Sequence, residues 1–401
     1  MPRLCDYSKR RLHGDGMQSK IQNPKSKIPE RVLIIGPSNI GDGILASHAI
    51  AAIARRFPQA HMTLVVGERA KTLFLGDPRI HTLVDASRFQ SVLGRLTLAR
   101  MLWRHHPHVV VDLRHTLYPL LLKPWAAWRF LRRPPRALVH MRDRHRWKLS
   151  CQVPELEAGS RLKAPGKDAQ GSRLKAEGTS LEPRTLSLER SSHQPSAFNL
   201  EPSASLWFSE KDQAHVEGLG KRWGLDAAPR LIIIAPGARS HIKRWTPEGF
   251  ARVADRLISE AGAHVIFSGE SDEEPIVEEI RGLMRRASHS AVGLVTIRQL
   301  GVLMARSQLV ITNDSAALHM ASALNVPTVA IFGPTDAAKY GPTADQRRVI
   351  RRWLFCSPCE QSLCRFHHEC MRFISPDEVV DAATALLIPD AHSQAHPHHS
   401  S

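Results

Sequence analysis

The stretch Leu309-Val-Ile-Thr-Asn-Asp-Ser-Ala-Ala-Leu-His319 holds a strand, a turn and the start of a helix in eleven residues. Its first four residues are apolar or β-branched, which is typical of a buried strand. Asn313, Asp314 and Ser315 form a polar turn in which Ser315 can cap the helix. Free N–H groups at a helix start favour an anion such as a diphosphate, and His319 lies one turn along the same face. Two interpretations stay open for this stretch alone: an anion site, or a capped helix with a packed histidine.

The same alternation of short apolar runs and helical periodicity occurs on both sides of this stretch. Residues 31–36 predict a first buried strand, and the spacing from Ile44 to Phe57 predicts a helix after it. The alternation restarts with a strand at residues 231–235. Repeated strand–helix units indicate an α/β fold with parallel sheets. Two such halves predict two domains that face a central cleft, beyond the carboxyl ends of their strands.

Composition divides the 401 residues into five segments. A region rich in Ser, Pro, Gly, Lys and Glu separates the halves, and the hexapeptide Gly-Ser-Arg-Leu-Lys-Ala occurs in it twice, which indicates low complexity. The predicted segments are a disordered basic N-terminus (1–29), an N-terminal domain (30–150), a disordered insertion (151–205), a C-terminal domain (206–388) and a disordered tail (389–401). No secretory signal and no apolar run of membrane-spanning length is evident, so we expect a cytoplasmic protein.

The formal net charge is +17, which favours an anionic partner. No basic-aromatic stacking pattern or zinc-finger spacing indicates nucleic acid, so we expect none as a partner. A phosphate-rich or membrane-bound substrate fits the charge better. The alternative is that basic tails and a basic linker have no binding role.

Polar, glycine-bearing loops follow four predicted strands. The first, at residues 36–43, contains Asp42 and matches neither the Walker loop nor the dinucleotide fingerprint. Asp42 is either a general base at the cleft or a helix cap. Pro236-Gly237-Ala238 with Lys243-Arg244-Trp245 is the second loop, in which a lysine can hold phosphate as a point charge. Gly333-Pro334-Thr335-Asp336 follows the strand after the opening stretch. Their joint occurrence favours a shared site over four unrelated caps.

These motifs together resemble glycosyltransferase family 9, the lipopolysaccharide heptosyltransferases. The resemblance covers about residues 30–140 and 205–388, and the C-terminal motifs are specific in combination. It implies the GT-B fold of two Rossmann-like domains. The matching runs are Gly41-Asp42, Lys243-Arg244-Trp245, Asn313-Asp314-Ser315 with His319, Gly333-Pro334-Thr335-Asp336 and Cys356-Ser-Pro-Cys359.

The resemblance implies an inverting transfer of heptose from ADP-L-glycero-D-manno-heptose to the inner core of lipopolysaccharide, without a metal ion or other cofactor. Asp42 would be the general base, and Lys243 would stabilise the departing diphosphate. The implied partners are a nucleotide-sugar donor, an anionic lipopolysaccharide core acceptor and, peripherally, the inner membrane. The donor-binding residues would be Gly237, Ala238, Lys243, Arg244, Asp314, Ser315, Ala316 and His319. Arg69, Lys71 and Arg114 are candidates for contact with the acceptor.

The family pattern is interrupted at Arg239-Ser-His241, where many relatives carry other residues. Two alternatives therefore stay open. One is a family 9 transferase with another nucleotide sugar and a different surface glycan. The other is a non-catalytic protein that grips a nucleotide sugar, which would not need a base at Asp42.

Four cysteines crowd into Cys356-x2-Cys359-x4-Cys364-x5-Cys370. Without an export signal, a disulfide framework is a poor default for them. Their spacing is tighter than in two-knuckle zinc sites. We interpret the segment as a structural loop that holds reduced thiols, a local disulfide or a metal ion, with zinc as the metal alternative.

Overall fold

The computed structural model describes residues 29–114, 116–153, 205–225 and 230–387. The tail, nearly all of the N-terminal segment and residues 154–204 of the predicted insertion lie outside the described residues. Residues 151–153 belong to the N-terminal domain, because a helix continues to Gln152 and Val153 is buried. Within the described ranges, no helix is long and apolar enough to cross a membrane.

The N-terminal domain contains a four-stranded parallel sheet in the order β3-β2-β1-β4. Its strands are β1 (Arg31–Ile35), β2 (His61–Val66), β3 (Thr82–Asp85) and β4 (Val109–Asp112). Its helices are α1 (Ile40–Arg56), α2 (Glu68–Phe74), α3 (Val92–Arg104), α4 (Tyr118–Leu122), α5 (Ala127–Leu131) and α6 (Met141–Gln152). Helices α1, α2 and α6 pack on one face of the sheet, and α3, α4 and α5 on the other.

The C-terminal domain contains a six-stranded parallel sheet in the order β10-β9-β8-β5-β6-β7. Numbered within the domain, this is the 3-2-1-4-5-6 order of the Rossmann fold. Its strands are β5 (Leu231–Ala235), β6 (His264–Phe267), β7 (His289–Ser290), β8 (Leu309–Asn313), β9 (Thr328–Phe332) and β10 (Arg347–Arg351). Its helices are α7 (Glu210–Arg222), α8 (Pro247–Ala261), α9 (Glu274–Leu283), α10 (Ile297–Ala305), α11 (Ala316–Ala323), α12 (Ala337–Tyr340), α13 (Glu369–Arg372) and α14 (Pro376–Leu387).

Strand sequences account for the position of both cores. Every residue of β5, Leu-Ile-Ile-Ile-Ala, is buried, as expected for a central parallel strand with helices on both faces. In β1, Val32 and Ile34 face the layer of α1, while Leu33 and Ile35 face the layer of α3. The period-two alternation of side chains thus supplies two apolar layers from one short strand.

Helix α1 starts four residues earlier than its apolar spacing predicts. It begins at Ile40, so Gly41 and Gly43 of the predicted loop lie inside its first turn. A Cβ at Gly43 would lie 3.0 Å from Leu73 Cδ1 and 3.3 Å from the Cβ of Ala70, in α2. Glycine is a poor helix former, but this close approach of two helices requires a small residue. Tertiary packing therefore overrides local propensity here.

The two domains meet along α1 and α11, whose buried side chains belong to one apolar cluster. Polar contacts join the domains around this seam. His140 Nδ1 accepts a bond from Arg142 N, so its Nε2–H donates to the Gly341 carbonyl at 3.1 Å. Arg69 pairs with Glu270 across the junction. These contacts hold the carboxyl ends of β1 and β4 in the N-terminal domain facing those of β5 and β8 in the C-terminal domain.

His48, on the buried side of α1, gives the fold a pH dependence. Burial lowers its pKa from 6.5 to about 4, and the charges of Arg142 and Arg146 add to this effect. The unfolded chain takes up this proton near pH 6.5 and the folded chain only near pH 4. Stability from this group is therefore complete above pH 6.5 and falls as the pH decreases towards 4. The shift corresponds to about 3 kcal/mol.

We expect wild type to lose about 3 kcal/mol more unfolding free energy than His48→Gln between pH 7 and pH 4. Denaturant titrations at both pH values measure this difference. His367→Gln, at an exposed histidine, is the matched control and should follow wild type. Equal losses in wild type and His48→Gln would contradict the assignment.

Candidate active site

The donor side of the candidate site is built on β5 and β8, the neighbouring strands at which the strand order reverses. Asn313 ends β8 and is fully buried. Its Nδ2 donates to the Pro236 carbonyl at 2.6 Å, and its Oδ1 accepts from Trp245 N at 3.2 Å. One amide side chain therefore fixes the loop after β5 against the end of β8. The sequence motif included Asn313 but did not reveal this positioning role.

Asp314 and Lys243 form an ion pair at this edge. Lys243 Nζ lies 2.7 Å from Asp314 Oδ2, and the Asp314 side chain is 6% exposed. A short 3-10 turn (His241–Lys243) after β5 brings the lysine to this position. The alternative in which Asp314 caps a helix is not what the structure shows. The pair instead places a cation at the carboxyl ends of the strands, next to the start of α11.

Ser315 is the N-cap of α11, as predicted. Its hydroxyl accepts from Ala317 N at 3.3 Å, and Ala316 is the first helical residue. His319, one turn later, is 7% exposed. Burial lowers the pKa of His319, although the charges of Asp314 and Asp42 oppose the shift. The imidazole is therefore neutral near pH 7, and the helix start remains the positive element beside it.

Gly237 and Ala238 form the loop after β5, and Arg244 folds back onto it by donating from Nε to the Ala238 carbonyl at 2.9 Å. A side chain at Gly237 would overlap the carboxyl group of Glu273. Burial raises the pKa of Glu273, while the bond from Glu270 N and the charge of Arg244 lower it. Sequence reasoning missed Glu273. Its signal was available, because an acid after the second strand of a Rossmann domain is a recurrent ribose ligand.

We expect Gly237→Ala to weaken nucleotide binding by about tenfold while costing at most about 1 kcal/mol of stability. The new methyl group displaces the flexible end of Glu273, which is cheap for folding but alters the loop beside it. Calorimetric titration with ADP and thermal unfolding measure the two effects. Gly282→Ala is the control, since a Cβ there meets nothing within 4 Å. Unchanged ADP affinity in Gly237→Ala would contradict this account.

Asp42 lies on the other domain, as the third residue of α1. The N-cap is Asn39, whose Nδ2 donates to Asp42 Oδ2 at 3.2 Å. The interpretation of Asp42 as the cap is therefore wrong, and its carboxylate is left for another role. A Cβ at the preceding Gly41 would lie 3.0 Å from His319 Cδ2, so α1 opens directly against the donor motif.

The loop after β9 also borders this junction. Its Asp336 caps α12 by accepting from Ala338 N at 2.9 Å. Within the described part of the chain, the buried Thr335 hydroxyl has no hydrogen-bond partner. Burial and the charge of Glu360 raise the pKa of Tyr340, and the charges of Asp42 and Asp314 add to this. Tyr340 therefore lies within electrostatic range of acids on both domains, a placement that its own sequence context does not signal.

The three predicted acceptor residues lie on the N-terminal domain but are spread apart. Arg69 pairs with Glu270 of the C-terminal domain, with both side chains 49% exposed. Lys71 Nζ lies 3.8 Å from Asp85 Oδ2, beyond β3. Arg114 is exposed after β4, where its backbone N–H donates to Asp112 Oδ1 at 2.8 Å. All three follow carboxyl ends of strands, on the junction side of the sheet.

The cysteine segment lies behind the donor loops. The four thiols line one cavity of about 450 Å³ together with Ile242 and Pro334. All are free thiols, so no local disulfide is formed among them. Burial raises the pKa of Cys370 to about 11, and the neighbouring cysteines add to the shift. No group of three ligands in the described residues has a geometry that could hold a metal ion.

The turn of α1 that carries Asp42 on one domain thus packs against His319 on the other, whose helix begins beside the Lys243–Asp314 ion pair. This arrangement can take a proton from a nucleophile while it stabilises a leaving diphosphate. Two Rossmann-like domains with such a site at their junction define the GT-B class of glycosyltransferases. The family model of glycosyltransferase family 9 (heptosyltransferase) matches residues 199–369. The match covers most of the C-terminal domain and confirms the resemblance.

Named relatives of this chain include heptosyltransferases. Lipooligosaccharide heptosyltransferase 2 of Campylobacter jejuni is 32% identical over 164 residues, which are 39% of this chain and 51% of that protein. Lipopolysaccharide heptosyltransferase 2 of Escherichia coli K12 is 28% identical over 174 residues, 42% of this chain and 50% of its own length. The chain thus spans about half the length of the curated relatives that it matches.

The fold likeness extends over both domains. The structure of Escherichia coli ADP-heptose lps heptosyltransferase II superposes with a TM-score of 0.60 at 21% identity, over 89% of this chain and 98% of that one. A family 9 glycosyltransferase from Veillonella parvula gives a TM-score of 0.63 at 21% identity, over 89% and 97%. At these identities the likeness shows the fold, and it confirms the predicted GT-B architecture.

Proposed function

We propose that the protein is a metal-independent, inverting heptosyltransferase that moves heptose from ADP-heptose to the inner core of lipopolysaccharide. The observation that carries the proposal is that the turn of α1 with Asp42 packs against His319, in the helix that begins beside the Lys243–Asp314 pair. The names of the relatives supply the sugar and the acceptor class. A protein that only bound a nucleotide sugar would not need the acid on the opposite domain.

In the proposed reaction, a hydroxyl oxygen of the acceptor attacks the anomeric carbon of the donor heptose. The bond from that carbon to the β-phosphate oxygen breaks, and its electron pair leaves with ADP. Asp42 accepts the proton of the attacking hydroxyl. Because attack and departure occur on opposite faces of the sugar, the anomeric configuration inverts. A positioned base of this kind contributes about 10²- to 10⁴-fold to the rate.

The charge of the leaving ADP is carried by Lys243 and by the N–H groups that open α11, at Ser315 and Ala316. A helix N-terminus and a fixed cation stabilise a developing anion without reorganisation. Lys243 exchanges its bond to Asp314 for one to phosphate when donor enters. His319, neutral and buried, can donate a hydrogen bond to the phosphates or to the sugar.

The nucleotide end of the donor lies against the loop after β5. Gly237 and Ala238 let the chain approach the diphosphate closely, and Arg244 adds a second cation beside them. Glu273 is placed to accept hydrogen bonds from ribose hydroxyls.

The acceptor lies on the N-terminal side of the junction. Arg69, Lys71 and Arg114 would contact its acidic groups, with Arg69 exchanging its bond to Glu270 for one to the acceptor. An acceptor that is anchored in a lipid implies a cytoplasmic enzyme at the inner face of the inner membrane. The net charge of +17 agrees with an anionic acceptor and surface.

A panel of sugar nucleotides tests the donor assignment. The purified protein is incubated with a truncated, deacylated core acceptor and, in turn, ADP-heptose, ADP-glucose and UDP-N-acetylglucosamine. Mass spectrometry of the acceptor should show one added heptose from ADP-heptose and no comparable product from the other two. Transfer from another sugar nucleotide but not from ADP-heptose would refute the proposal.

A further inference from the structure

The N-terminal domain has a large exposed apolar surface on the side of its sheet opposite α1. Val92 and Leu93 at the start of α3 are 76% and 77% exposed, and Leu117 and Trp125 around α4 are 73% and 72% exposed. Monomeric proteins rarely leave so many large apolar side chains in water at one place. We call this surface the α3–α5 face; its exposed apolar residues are Val92, Leu93, Leu96, Leu117, Leu121, Trp125 and Leu131.

These residues belong to a single layer. Helices α3, α4 and α5 cover the same side of the N-terminal sheet through Leu98, Leu102, Leu122 and Phe130. Their remaining side chains therefore point outward from that side. Helix α3 begins just after β3, and α4 begins just after β4, so both start at the carboxyl edge of the sheet. The α3–α5 face thus borders the edge that carries the α1–α11 junction.

The charge around this face has one sign. Residues 86–136, which include α3, α4 and α5, contain ten Lys and Arg but only one acid, Asp112, which is buried. Lys123 Nζ lies 5.0 Å from the centre of the Trp125 ring. The ten are Arg88, Arg95, Arg100, Arg104, Arg114, Lys123, Arg129, Arg132, Arg133 and Arg136.

An exposed row of Leu and Trp among arginines has the composition of an interfacial membrane surface. Trp and Leu partition into the headgroup region, and each nearby Lys or Arg adds electrostatic attraction to an anionic leaflet. A protein partner would need an unusually acidic face to match ten basic residues. An anionic bilayer supplies that charge along a whole plane.

We propose that the α3–α5 face docks on an anionic lipid bilayer, with Trp125 and Leu121 at headgroup depth. This inference rests on the proposed function, because a lipid-anchored acceptor is the reason for the protein to meet a membrane. Docking by this layer would bring the carboxyl edge of the N-terminal sheet to the bilayer surface. An acceptor held by its lipid in that bilayer could then reach Asp42 without leaving the membrane.

Vesicle binding tests the proposal without any donor or acceptor. Wild type should co-sediment with vesicles of phosphatidylethanolamine and phosphatidylglycerol, but not with phosphatidylcholine alone, and added salt should weaken the binding. The double variant Leu121→Ser with Trp125→Ser should bind about tenfold more weakly. Trp353→Ser, at a 60% exposed tryptophan of the other domain, is the matched control and should bind like wild type.

A second double variant, Leu93→Ser with Leu96→Ser, changes the same face on another helix in case the first variant misfolds. It should show the same loss of vesicle binding. Undiminished vesicle binding by both folded double variants, or no binding by wild type, would overturn the proposal. Self-association of wild type that both double variants abolish would also overturn the proposal, because the face would then bind a second copy of the chain. Transfer to a deacylated acceptor in solution should persist in both variants; its absence from wild type would count against the proposed function instead.

Discussion

Asp42→Asn should abolish most transfer while leaving donor binding nearly intact. We expect the turnover number to fall by about 10²- to 10⁴-fold, the contribution typical of a positioned general base. The amide preserves the size of the side chain but cannot take the proton. Because Asp42 lies on the domain opposite the donor loops, affinity for ADP should change by no more than about twofold. Single-turnover transfer and calorimetric titration measure the two quantities.

Glu68→Gln is the matched control for this change. Glu68 is an exposed acid in the first turn of α2, on the same domain and also at the start of a helix. It should retain the wild-type rate. Equal transfer by Asp42→Asn and wild type would remove Asp42 from the base role. A loss confined to ADP affinity would assign the residue to binding instead.

Lys243→Met should have the second largest effect. We expect a fall of about 10²- to 10³-fold in the turnover number, as when one preorganised group that stabilises a developing anion is removed. The variant also leaves Asp314, with its side chain only 6% exposed, without its cationic partner. Some loss of stability should therefore accompany the loss of rate.

A double variant separates these two consequences. Lys243→Met with Asp314→Asn removes the uncompensated charge, so it should recover thermal stability but not transfer. Lys339→Met, which breaks a more exposed ion pair with Glu360, should keep the wild-type rate. Recovery of transfer in the double variant would mean that Lys243 acts by neutralising Asp314 and not by stabilising the leaving group.

The central strands and the amphipathic helices could be predicted from sequence because their patterns are strong. The predicted strand at residues 231–235 coincides with β5, and the one predicted at residues 31–36 coincides with β1 to within one residue. Strand β10, Arg-Arg-Val-Ile-Arg, lies at the sheet edge and lacks the apolar run of a central strand. Helix α6 has four Lys and Arg among twelve residues, and its buried face uses His145, Lys148 and Gln152 beside Leu149. Such elements owe their place to tertiary contacts that no local pattern encodes.

The candidate site shows the same contrast between features that local sequence predicts and features that tertiary contacts create. Loops at the ends of apolar strands predicted where Asp42, Lys243 and Asp314 would lie, since parallel strands end at one edge. The bond that joins Lys243 to Asp314 crosses 71 residues and could not be read from either motif. The positions of Glu273 and Tyr340 near the site also depend on packing between distant segments. These residues come together only when both domains are folded and packed against each other.

The most direct test of the account is transfer by the intact protein. Wild type and Asp42→Asn are incubated side by side with ADP-heptose and the deacylated core acceptor, and the acceptor is analysed by mass spectrometry. We expect one added heptose with wild type, with release of one ADP for each product, and almost none with the variant. An unchanged acceptor with wild type, or equal product from both proteins, would contradict the account.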